Sequence, residues 1–293
     1  MESEKEKMIG VCCHDAGGAN QLLALISAED LNVASAFMEG PAINLWGQMF
    51  PEKKLCSNLE EIFDKTKCII TGTGWESDLE HRARQLANQN GIFSISVLDH
   101  WSNYADRFKR NGEIVLPDQL WVFDKYSLQL AIQDFPDLPV VLKQGYYVKQ
   151  QLSNVLSLNP DQPNELLYLL EPSRSNWGRV EVGEFQALRY FLDRFSELNL
   201  PKNTKICLRP HPSDSPGKYD EFVLADGQWP MFIDKGSLSD ALSRSKWVAG
   251  CQTYAMTLAL KAGRIVFGTL PPWAPVCVLP HEGIIHLKDM VVQ

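Results

Sequence analysis

The sequence lacks most of the features that class a protein at a glance. No apolar run approaches the ~18 residues that cross a bilayer, so no transmembrane segment is expected. No Cys-x-x-Cys occurs, and seven cysteines cannot all pair within the chain, which argues against a disulfide scaffold and predicts buried, reduced thiols. Asp-x-Asp is absent, as are Gly-x-Gly-x-x-Gly and a glycine-rich loop ending in Gly-Lys-Ser/Thr. A P-loop and a simple dinucleotide fingerprint are therefore excluded. No His and Cys cluster has ligand spacing, so no metal and no cofactor are expected. Positive charge is short: 28 Lys and Arg stand against 36 Asp and Glu, a net charge of −8. A broad nucleic-acid footprint needs clustered bases, so no nucleic-acid partner is expected. Residues 1–7 are charged, with no apolar stretch directly behind them. That predicts no secretory leader and a cytoplasmic protein.

What is present suits a globular chain of 293 residues, 45% of them hydrophobic, long enough to bury a core without staples. Short apolar runs alternate with amphipathic stretches. Strands are predicted over 8–13, 31–38, 67–71, 91–98, 120–123 and 140–143, with a helix over 20–28. Ser77-Asp78-Leu79-Glu80 reads as a capping box opening a helix that Asn90-Gly91 ends. The polar, proline-bearing segment 154–164 is the best boundary. Beyond it the rhythm restarts, with strands over 165–170, 204–208, 231–234, 247–250 and 264–267. Helices are predicted over 183–198, from Ser237, and over 253–262. Strand, helix, strand at this spacing means parallel β-α-β units. The expectation is an α/β protein of two Rossmann-like domains, 1–153 and 154–293, facing across a cleft.

Ligands of open α/β sheets bind beyond the carboxyl ends of the strands, and those positions are rich here. After the first strand comes His14-Asp15-Ala16-Gly17-Gly18-Ala19-Asn20. Its glycines let backbone amides approach a ligand, and His14 or Asp15 could act as acid or base. The same segment also reads as a plain turn with Asp15 capping the helix. Thr71-Gly72-Thr73-Gly74-Trp75-Glu76 follows the third strand, where Glu76 could equally serve the helix dipole. Asp99-His100-Trp101-Ser102-Asn103-Tyr104 follows the fourth. There Asp99 is a general base, an orienter of His100, or half of a buried pair closing the strand.

In the second half, Arg209-Pro210-His211-Pro212 ends a strand. Two prolines pre-set the backbone around the imidazole, and Arg209 offers a fork for phosphate oxygens. Gln252 and Thr253 place side-chain donors at the start of a helix, an anion site without lysine.

Two α/β halves, a glycine-rich first turn and the His211-Pro212 step resemble GT-B-type glycosyltransferases. The His211-Pro212 step itself resembles the His-Pro motif of the bacterial sialyltransferase, polysialyltransferase and Kdo transferase group. The resemblance implies a metal-independent transferase in surface polysaccharide synthesis, with a CMP- or UDP-linked sugar as donor and a carbohydrate acceptor. It further implies that a CMP-activated ulosonic acid is the donor. His211 and Thr253 (or Gln252) would then touch the donor phosphate, with Asp15 or Asp99 as base on an acceptor-side N-terminal domain. The same constellation suits a nucleotide-sugar hydrolase or 2-epimerase, and a non-catalytic transferase-like subunit.

Overall fold

The computed structural model describes residues 8–74, 77–224 and 229–290. The chain divides into two compact units, Met1–Gln150 and Gln151–Gln293. In the first unit the strands are β1 (Ile9–Cys13), β2 (Val33–Met38), β3 (Cys68–Thr71), β4 (Phe93–Val97), β5 (Lys109–Arg110), β6 (Glu113–Ile114), β7 (Gln119–Val122) and β8 (Val140–Leu142). Its helices are α1 (Ala16–Glu29), α2 (Gly40–Met49), α3 (Leu79–Asn90), α4 (Tyr104–Arg107), α5 (Lys125–Asp134) and α6 (Tyr146–Leu152).

Six of these strands form a sheet in the order β2-β1-β3-β4-β7-β8, parallel throughout. β5 and β6 form a separate antiparallel ribbon. Every residue of β1 and β3 is buried, as expected where helices cover both faces of a parallel sheet. From Leu22 to Ile26 no residue of α1 reaches the surface, so that helix is apolar nearly all round.

The second unit holds β9 (Glu165–Leu169), β10 (Lys205–Arg209), β11 (Met231–Ile233), β12 (Trp247–Gly250), β13 (Ile265–Gly268) and β14 (Ile284–His286). Its helices are α7 (Gly183–Asp193), α8 (Asp220–Leu224), α9 (Leu238–Arg244) and α10 (Tyr254–Lys261). The sheet order is β11-β10-β9-β12-β13-β14, again all parallel. Counted within the unit this is 3-2-1-4-5-6, the Rossmann order. Each unit has its own apolar core, one around Leu22, Leu25 and Trp121, the other around Tyr168, Phe191 and Leu208.

Two expectations need correction. The helix expected over 183–198 stops at Asp193 and a 3-10 turn, Phe195–Leu198, follows. At the break Arg194 leaves helical geometry and its guanidinium donates to the carbonyls of Leu287 and Met290, and Asn199 closes the turn in the left-handed region. The Ser77–Glu80 capping box does not form. Ser77 Oγ accepts from Leu79 N at 3.0 Å, Asp78 takes the N-cap position without a side-chain cap, and Glu80 points elsewhere. A box does form where none was expected, at Asp124 and Ser127 of α5. On α10 the buried face carries Met256 and Thr257 beside Leu258 and Ala259, while Ala255 and Ala262 are half-buried.

Candidate functional site

In the first unit the sheet order reverses between β1 and β3, so the loops after these strands flank the switch point where ligands of such sheets bind. β1 delivers His14 and Asp15 there. Asp15 occupies the N-cap of α1 in an extended conformation, but its side chain makes no cap bond. Instead Asp15 Oδ1 meets His14 Nδ1 at 2.6 Å, with the two side chains 24% and 17% exposed.

The glycines explain how so many groups converge. A Cβ on Gly17 would strike the Asp99 carboxylate, and one on Gly74 would strike that of Asp15. A Cβ on Gly18 would lie 3.3 Å from Gly72 Cα, and one on Gly72 only 2.6 Å from Cys13 Sγ. Gly40, at φ +50°, leaves room for the His14 ring. These glycines let three loops close on one another and on two carboxylates. Asn20 is half-buried on α1. Trp75 and Glu76 lie outside the described residues.

Asp99 is brought to the same place but is held differently. Its Oδ1 pairs with Arg107 Nη1 at 3.0 Å, the arginine side chain being 6% exposed. Arg107 also donates to Thr73 O at 3.0 Å and Ser102 O at 3.2 Å, so one cation staples the loops after β3 and β4. His100 Nδ1 is 3.2 Å from Ser102 Oγ, and burial pushes the imidazole pKa down. Trp101 donates to Asp124 Oδ2 at 2.9 Å, a structural link between the loop and α5.

Glu80 is the group sequence reasoning misplaced. It is 2% exposed, and Oε1 accepts the His14 backbone N–H at 2.8 Å. Arg107 was missed altogether, because its partners are scattered along the chain.

In the second unit the switch point lies between β9 and β12. Glu171, two residues past β9, accepts the Gln252 backbone N–H at 2.9 Å. Burial pushes this carboxyl up, with the Gln252 amide pulling it partly back. An acidic residue just beyond a strand was a signal available in the sequence. Gln252 Oε1 accepts from Val278 N at 3.2 Å. Thr253 is the N-cap of α10, and its hydroxyl is not used as a cap.

His211 is exposed at the end of β10. Its Nδ1 accepts the Ser213 backbone N–H at 3.2 Å and lies 2.8 Å from Ser213 Oγ. A backbone amide can only donate, so the ring proton sits on Nε2. The loop is fixed by Asp214, which accepts the His211 N–H at 2.8 Å and pairs with Lys218 at 2.6 Å. Lys218 also pairs with Glu184 at 2.7 Å. Pro212 is exposed in this turn.

Arg209 pairs with the nearly buried Asp234 and donates to Gly236 O, so its charge is already balanced within the unit. Asp234 also binds Arg244 at 2.9 Å. Beside the His211 loop lies a cavity of about 560 Å³, with Pro210, Asp214, Lys218, Tyr219, Phe232 and Lys235 in its wall. That volume lies in the range of small-molecule sites. Among the described residues, no three His, Cys, Asp or Glu side chains are arranged to hold a metal ion, and no helix is long and apolar enough to cross a membrane.

No family model matches the chain, and no curated protein sequence matches it. Solved structures do. One is UDP-GlcNAc 2-epimerase from Methanocaldococcus jannaschii in complex with UDP-GlcNAc and UDP, at 11% identity and TM-score 0.59, covering 96% of this chain and 89% of that one. A second is UDP-GlcNAc 2-epimerase from Neisseria meningitidis bound to UDP-GlcNAc, at 11% identity and TM-score 0.55, covering 89% and 82%. A third is MurG from Acinetobacter baumannii, at 12% identity and TM-score 0.54, covering 90% and 79%. These likenesses establish a fold of the GT-B type, two Rossmann-like α/β domains. They reach no further than that fold, and the narrower resemblance to the sialyltransferase and Kdo transferase group is not carried by them.

Proposed function

We propose that the chain is a nucleotide-sugar-dependent glycosyltransferase, with the first unit on the acceptor side and the second binding the donor. One observation carries the choice of reaction. Of the two aspartates gathered at the first switch point, Asp15 is hydrogen-bonded to an imidazole and Asp99 to a buried guanidinium. Transfer needs one proton acceptor for one hydroxyl. The His14–Asp15 pair has that form, while Asp99 is committed to stapling loops.

In this reading the pair takes the acceptor hydroxyl proton as the sugar bond forms. The Nε2–H of His211 and the donors at the start of α10 stabilise the departing phosphate. The cavity beside Pro210 takes the nucleoside. A UDP-linked sugar is the favoured donor, because the matched epimerase structures are named for UDP-GlcNAc; the His-Pro step keeps CMP-linked sugars as the other choice. Arg209, balanced by Asp234, is assigned to shaping the loop after β11 rather than to the phosphate.

Thermal shift with CMP, UDP and GDP tests donor binding, since a ligand at 100 times its Kd adds about 2.7 kcal/mol. No shift with any of the three rejects the reading in favour of a non-catalytic subunit. A second reading, 2-epimerase, is favoured by the names of the matched structures and by the three carboxylates, Asp15, Asp99 and Glu80, that meet at one loop. Incubation in heavy water without acceptor separates the two. A C2 epimer carrying deuterium indicates the epimerase, and an untouched donor indicates the transferase.

A further inference from the structure

We propose that Glu80 is a positioning residue carried as the neutral carboxylic acid, and that it holds the His14–Asp15 pair in place by accepting the His14 amide. The proposal rests on the reading of that pair as the proton acceptor.

The geometry is unusual for an ionised side chain. Glu80 sits in the first turn of α3, where a carboxylate ordinarily reaches back to the helix start or out to water. Here it is 2% exposed and turned towards the sheet. Oε1 receives the His14 N–H, while Oε2 is buried with no hydrogen-bond partner. A charged carboxylate with one oxygen bare in the interior is costly, and the neutral acid avoids most of that cost.

The groups on β1 and in the loop after it add to this cost. Cys12 and Cys13 of β1 present thiols that burial keeps protonated. Asp15 adds a negative charge from the following loop. Arg84, one turn further along α3, is the cation among the groups that act on Glu80. It is directed elsewhere, with Nε donating to Val115 O at 2.9 Å and the guanidinium 4.9 Å over the Phe108 ring. No ion pair joins it to Glu80 among the described residues. Burial pushes the Glu80 carboxyl up, against the His14 amide, Glu80's own amide and the more distant Arg84 charge, and Asp15 adds to the rise.

Gly72 completes the slot. A Cβ there would lie 3.2 Å from Glu80 Oε1 and closer still to Cys13 Sγ. The acid is thus held between β1 and the loop after β3. As the neutral form it offers the His14 amide an acceptor without placing a second anion beside Asp15. A proton arriving at the His14–Asp15 pair then meets one carboxylate rather than two.

Glutamine has the same shape and acceptor and no charge, so it is the discriminating replacement. The full chain, labelled with carboxyl ¹³C-glutamate, is titrated by NMR. Hydrogen exchange of the His14 amide is followed in the wild type, Glu80→Gln and Glu80→Ala. The expected result is a Glu80 midpoint above those of the exposed glutamates. Glu80→Gln keeps the His14 amide protected to within about threefold, whereas Glu80→Ala lowers protection by about 10- to 100-fold, the equivalent of one lost buried hydrogen bond. The pH–rate profile of Glu80→Gln follows the wild type.

A Glu80 midpoint among the exposed glutamates overturns the proposal, as does a Glu80→Gln amide that exchanges like the alanine variant. The wild-type titration decides even where Glu80→Ala does not fold. If Asp15→Asn retains full turnover while the NMR results stand, the base reading fails. If Asp15→Asn is inactive and the titration fails, this proposal alone falls.

Discussion

The two units solve one problem with different materials. Each must hold the loop at its sheet's switch point, and each does so with a glutamate carboxyl group accepting a single backbone amide: Glu80 on His14, Glu171 on Gln252. Around that shared bond they diverge. In the first unit Gly17, Gly18, Gly72 and Gly74 bring backbone against side chain with no room to spare. The first adds an ion pair, Arg107 on Asp99; in the second, ion pairs predominate and fix the loops after β10 and β11: Arg209 and Arg244 on Asp234, and Lys218 on Asp214 and Glu184. Close packing fixes position but tolerates no added atom. Charge networks tolerate changes of shape but not the loss of a partner.

The largest expected effects separate the roles of the two loops. Asp15→Asn should lower turnover by about 10²- to 10⁴-fold, the range of a positioned general base. His211→Ala should lower it by about 10²- to 10³-fold, the range of one lost donor to a developing anion. Both variants should melt close to the wild type. Steady-state rates with an identified donor and acceptor check this, and near-normal turnover in either variant removes that residue from the reaction.

Next come the holding devices themselves. Gly17→Ala and Gly74→Ala should each cost about 1–3 kcal/mol, because the new methyl displaces a carboxylate from its partner, Arg107 for Asp99 and His14 for Asp15. Asp214→Ala should cost about 1–2 kcal/mol, since it strands the His211 amide while Lys218 keeps Glu184. Chemical denaturation measures both. Glycine variants as stable as the wild type would dissolve the contrast between the units.

The smallest effect tests the feature the units share. Both Glu80 and Glu171 are pushed up by burial, so the folded chain holds these protons more tightly than the unfolded chain. Their contribution is complete below the ordinary glutamate range and declines as pH rises through it towards the raised folded values. Glu80→Gln and Glu171→Gln should each flatten the fall in melting temperature over that window. Unchanged slopes would mean that the carboxyls are not raised.

Much of the architecture was legible because parallel strands buried on both faces are short continuous apolar runs. Cys68–Thr71 and Trp247–Gly250 are examples, and beyond the strands of the first unit the fold brings His14, Asp15 and Asp99 close to Gly17 and Gly74. Pairings between distant residues were not legible. Glu80 meets His14 across 66 positions, Glu171 meets Gln252 across 81, and Arg209 meets Asp234 across 25. No local pattern encodes such contacts, and Glu80 stood where a capping residue ordinarily stands, which disguised it. The α5 box at Asp124 and Ser127 was readable and went unread. The order of strands in each sheet, which decides where the switch points fall, is a tertiary fact with no local signature.

The division between the units at Gln150 falls within α6, which runs from Tyr146 to Leu152. Severing the chain at that point would leave helical pieces of five and two residues, each with orphaned amides and carbonyls and neither long enough to persist. The irregular stretch 154–164, rich in proline and asparagine, is the gentler place for a protease site or a graft. Exchange of whole lobes between related chains would best be joined there, with the intact helix travelling with its N-terminal partner.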